Sequence, residues 1–120
     1  MATPRTAGPI EGTRVVIGIY ANPESHEIYV DREPFYIHKS EQEIVEWVCH
    51  QDHKGHVHGA NCFTVEFKGK RGTPFERSTF HGHGALSGLA TAKPNDKRLY
   101  KYRVIVPGVG TLDPQGGVKA

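Results

Sequence analysis

The sequence predicts an all-β sandwich, and three observations carry that expectation. Phe63–Phe67 alternates apolar and polar residues with the period of two that a half-buried strand requires, and Val45, Trp47 and Cys49 share one side of the strand-favouring stretch before it. Leu99–Val106 repeats the pattern, with Tyr100, Tyr102, Val104 and Val106 on one side. Between such stretches lie Asn, Gly and Pro turn signals, and no segment carries a convincing helical stripe. Six to eight short strands spaced in this way pack as two sheets over one core.

In chain order, residues 1–12 are rich in Pro, Gly and Thr and read as a flexible N-terminal arm, leaving residues 13–120 as a single domain. Thr13–Tyr20 is a strand with Val15, Ile17 and Ile19 on one face. Asn22-Pro23-Glu24-Ser25 turns the chain into a short strand, Glu27–Val30, which breaks at Asp31–Pro34 and resumes at Phe35–His38. Glu41–Val48 has Glu and Gln content compatible with a helix, but Val45, Trp47 and Cys49 alternate, and Val and Trp prefer strands. After Phe63–Phe67, with Phe63, Val65 and Phe67 facing in, Gly69–Gly72 makes a turn and Thr73–Glu76 a short edge piece. Residues 77–96 read as loop. Leu99–Val106 ends at Pro107–Gly110, and 112–118 turns and pairs once more at an edge.

Composition narrows the function classes. A net charge of +2 is too small to argue for nucleic acid, and Lys68, Lys70 and Arg71, flanked by Gly69 and Gly72, read as a solvated hairpin tip. No apolar run approaches the length that spans a bilayer, so no membrane partner is expected. Residues 1–9 lack the apolar centre of a signal peptide, which as written places the protein in the cytoplasm; removal of a leader would make it periplasmic.

The order of the Trp-bearing strand Val45-Glu46-Trp47-Val48, a crossing loop, Phe63-x-Val65-x-Phe67 and the late Tyr100-Lys101-Tyr102-Arg103-Val104 resembles the cupredoxins over about residues 13–118. The resemblance implies a Greek-key β-sandwich in which Val45–Val48 and Phe63–Phe67 lie in opposite sheets, with the segment between them crossing one end. Copper-binding cupredoxins hold their metal at that end, with a His before the second of these strands and then a Cys, a His and usually a Met near the end of the Tyr-x-Tyr strand. Here the first position falls at Asn61 or Cys62 and the Cys position at Val104, and no His, Cys or Met follows Val104. The thiolate-bearing set of a type 1 copper centre is therefore missing.

A different donor set stands at the same place. Cys49 to Cys62 contains His50, His53, His56 and His58, so six imidazole or sulfur donors fall within fourteen residues. His81 and His83 add a His-x-His pair, which in an extended chain projects both rings to one side. Imidazole binds copper, zinc and nickel, and thiolate adds affinity for softer ions. The expected ligands are His56, His58, His81 and His83, with His50, His53, Cys49 and Cys62 as alternatives.

The plain readings stand beside this one. The loop lacks tight Cys-x-x-Cys zinc pairs, and Gly55 and Gly59 give it freedom that ligation would have to remove. Its two cysteines would brace it as a disulfide, worth roughly 3 kcal/mol in the chain-entropy model, or stay thiols in a reducing cytoplasm. Alternation places Cys49 inward as an inert thiol and Cys62 outward as the reactive one. His26 and His38 read as surface histidines.

Catalysis is disfavoured. His56-x-His58 begins like a cupin motif, but Glu66 comes too late, and only Asp52 could orient a Cys–His nucleophile. Two functions remain: a carrier, sensor or store for a transition metal, and a metal-free interaction or oligomerisation module. The second would use Tyr36, Phe75 and Phe80 as anchors or pair copies through the Phe35–Ile37 edge.

Overall fold

The computed structural model describes residues 13–22, 24–49, 62–82, 84–95 and 97–120. They form eleven strands and one 3-10 turn: β1 Arg14–Asn22, β2 Glu27–Val30, β3 Phe35–His38, the turn Lys39–Glu41, β4 Ile44–Cys49, β5 Phe63–Glu66, β6 Thr79–Gly82, β7 Gly84–Leu86, β8 Tyr100–Lys101, β9 Arg103–Val106, β10 Gly110–Leu112 and β11 Gln115–Lys119. Among the described residues no helix is long and apolar enough to cross a membrane. The expected arm, residues 1–12, lies outside the described residues.

The strands make three sheets, ordered β2-β1-β4-β7, β10-β9-β5-β6 and β3-β11-β8. The architecture is nearly all β and consistent with a sandwich. In the first sheet β1 runs parallel to β4, with Ile17 opposite Trp47 and Ile19 opposite Cys49. In the second, β5 is antiparallel to both β6 and β9. The Trp-bearing strand and the Phe63 strand thus lie in different sheets.

One apolar core joins all three sheets. Ile17, Ile19, Val45 and Trp47 enter it from the first, Phe63, Val65, Phe80 and Val104 from the second, and Phe35, Ile37 and Val118 from the third. Trp47 is fully buried at its centre. Phe35, Phe75 and Tyr102 meet it edge-on at centroid separations of 6.3, 6.3 and 5.9 Å, while Phe80 and Phe67 tilt against it at 5.2 and 6.1 Å. Such offset and edge-to-face pairs suit the ring quadrupoles and add to the gain from burying large rings. Tyr102 faces Trp47, yet among the described residues neither its hydroxyl nor the indole Nε1–H has a well-formed hydrogen bond. Burial holds the Tyr102 hydroxyl well above the ordinary tyrosine pKa, against a smaller lowering from Trp47.

Several expectations need correction. Residues 77–96 are not all loop: Thr79–Gly82 and Gly84–Leu86 are strands. Their apolar content is thin, with Phe80 and Ala85 as the buried side chains, so their extended form comes from pairing with β5 and β4. Leu99–Val106 keeps its predicted face, with Tyr100, Tyr102, Val104 and Val106 all buried, but is split at Tyr102 between two sheets. Phe35–His38 does not continue the strand before it but joins β11 in the third sheet. Nor is β11 an edge: it lies between β3 and β8. Phe75 and Phe80, expected as contact anchors, are each 2% exposed and belong to the core.

Candidate metal centre

Strands β4 and β5 bring the two cysteines together from different sheets. Cys49 ends β4 and Cys62 directly precedes β5; their sulfurs form a disulfide with the Cα atoms 6.2 Å apart. Cys62 is fully buried and its N–H donates to the Gly82 carbonyl at 3.1 Å, whereas Cys49 is half-buried. This reverses the expected exposures. Alternation along an isolated strand put Cys62 outside, but the covalent bond and the Gly82 contact draw it into the seam between sheets. While the disulfide is intact, neither sulfur is a thiolate able to ligate a metal.

The chain crosses between the same two sheets a second time at this seam. Gly82 on β6 pairs with Phe63, and Gly84 on β7 pairs with Val48. The crossing is that short because Gly82 holds a φ of 130°, a backbone conformation that a side chain would strain. Both connections between β4 and β5, and between β6 and β7, therefore leave from neighbouring strand ends. His81 pairs with Thr64, two positions from Cys62, and its side chain is exposed. His81, Gly82 and Gly84 thus lie at the same end of the strands as Cys49 and Cys62.

His50, His53, His56, His58 and His83 lie outside the described residues. Among the described residues, no three His, Cys, Asp or Glu side chains gather as a metal-holding group. His26 and His38 are occupied locally. His26 Nδ1 is 3.1 Å from the Val109 carbonyl oxygen, and His38 Nδ1 is 3.1 Å from Glu43 Oε1.

The strands β6 and β7 were the feature that sequence reasoning missed. Phe80 and Ala85 are isolated apolar residues five positions apart and make no period-two pattern. No family model matches the chain, and no curated protein or solved structure matches it.

Proposed function

We propose that the chain is a cupredoxin-type Greek-key sandwich that binds copper, zinc or nickel through imidazoles of its Cys49–Cys62 segment, as a carrier, sensor or store. The single observation that carries this reading is the disulfide. It fixes both ends of a segment with four histidines beside the strand crossing that bears His81.

Closing that segment reduces the conformational entropy that ligation must otherwise remove. With both sulfurs tied together, the donors are nitrogens: His56, His58, His81 and His83 first, and His50 and His53 as reserves. Neutral imidazole suits Cu(II), Zn(II) and Ni(II), and a set without thiolate gives no blue copper. A persistent disulfide also belongs to an oxidising compartment, so the exported, periplasmic alternative is preferred to the cytoplasmic one.

The competing module has one observation on its side: Tyr36, 38% exposed, lies on the edge strand β3. Metal analysis by mass spectrometry on untagged protein purified without chelator separates the two. Near-stoichiometric copper, zinc or nickel, lost in His56→Ala/His58→Ala, is the expected result. Wild type that is empty and refuses each ion at micromolar concentration would overturn the metal reading; concentration-dependent association lost in Tyr36→Ala would then support the module.

A further inference from the structure

At the opposite end of β5 from the disulfide, three separate segments enclose a basic groove of about 520 Å³. The turn after β5 supplies Lys70 and Arg71, the approach to β8 supplies Lys97 and Leu99, β8 supplies Lys101, and β11 supplies Gln115. Among the described residues no carboxylate lines it. We propose that this groove binds a small organic anion carrying two or more phosphate or sulfate groups.

The walls are held in place by the fold. The Gly72 N–H donates to the Gly69 carbonyl at 3.0 Å, closing the turn, and Arg71 Nη1 donates to the Leu99 carbonyl at 2.9 Å. The Asn95 N–H donates to the Val118 carbonyl at 2.8 Å, tying the approach to β8 onto β11. A Cβ on Gly69 would lie 3.7 Å from the Lys101 Cβ, so the turn sits directly over β8.

Charge argues in the same direction. Next to the groove, Lys68 pairs with Glu66 and Arg103 with Asp113, each at 3.6 Å. Inside it four cations share one concavity with no acidic partner among the described residues, although the whole chain carries only +2. Their mutual repulsion opposes folding, and a bound polyanion would relieve it. Lysine ammonium groups and an arginine fork suit the oxygens of phosphate or sulfate, and Leu99 gives an apolar wall for a carbon skeleton. The volume lies within the roughly 300–1,000 Å³ of small-ligand sites. Single-stranded nucleic acid fits less well, because nearby Tyr100 and Tyr102 are buried and offer no stacking platform.

Calorimetric titration tests this with myo-inositol hexakisphosphate and sucrose octasulfate as probes, at low and physiological salt. The whole chain is compared with Lys97→Gln/Lys101→Gln, and with Arg32→Gln/Lys39→Gln, which removes equal charge outside the groove lining. Circular dichroism melting checks that each variant is folded. One-to-one binding that weakens at least about tenfold in the groove variant alone is expected. The tighter probe tells phosphate from sulfate recognition. Absence of binding at millimolar concentration, equal weakening in both variants, or tighter binding to a short DNA duplex would each overturn the proposal.

Discussion

Gly116 shows how one missing side chain organises two strands. It pairs with Phe35 across β11 and β3, and the Phe35 ring fills the space a Cβ would need. The ring is buried and packed against Trp47 and Tyr102, so it has nowhere to retreat. Gly116→Ala should therefore destabilise the protein by about 1–3 kcal/mol through overpacking, measured by urea unfolding. Phe35→Leu in the same chain should recover part of that loss. An alanine variant as stable as wild type would show that the ring is not confined there. Ser87, the one buried polar residue among the described residues, is fully used: its Oγ accepts from the Val45 N–H at 2.9 Å, and its N–H donates to the Val45 carbonyl at 2.9 Å.

Among the elements, the pair β4 and β5 matters most, because the disulfide joins their ends across the core. The bond closes a segment with a sequence separation of 13. Restricting that length of unfolded chain is worth about 3 kcal/mol. Cys49→Ser/Cys62→Ser should lose that much stability in urea titrations, and under the proposed metal function it should also bind copper, zinc or nickel more weakly, since the histidine segment would no longer be held at both ends. A variant of unchanged stability would place the strand ends together without the bond. Metal affinity unchanged in a folded variant would remove the disulfide from the functional argument. The β6–β7 crossing supports the same end through main-chain pairing, so the two connections reinforce one another.

At the scale of the whole fold, three sheets share a core centred on Trp47, and among the described residues its least satisfied polar groups are the Trp47 Nε1–H and the Tyr102 hydroxyl. Because burial raises the Tyr102 pKa above the ordinary 10.0, the folded state prefers the neutral phenol. That preference contributes fully below about pH 10 and is lost as pH rises from there through the folded-state pKa. Between about pH 9 and pH 11, unfolding free energy should fall more in wild type than in Tyr102→Phe. Equal falls would mean that the phenol ionises in the folded protein as easily as in the unfolded chain. The same core separates the two proposed sites, one at the disulfide seam and one beyond the far end of β5, so each can be tested alone.

Alternating apolar residues determined the main strands and their buried faces: Ile17 and Ile19, Val45 and Trp47, Phe63 and Val65, and the Tyr100–Val106 row are all in the core. Side-chain alternation is a local property of an extended chain, so it is readable before any partner strand is known. The clustering of histidines between two cysteines was legible for the same reason. Partner choice was not. That Phe35–His38 leaves the sheet of β2, that β11 is central, and that Thr79–Leu86 is extended all depend on hydrogen bonds to residues distant in sequence. The burial of Cys62, its bond to Cys49, and the meeting of Lys70, Arg71, Lys97 and Lys101 in one groove have that origin too. Local pattern sets which face of a strand is apolar; only the long-range pairing energy of the folded chain decides which strands, and which charges, become neighbours.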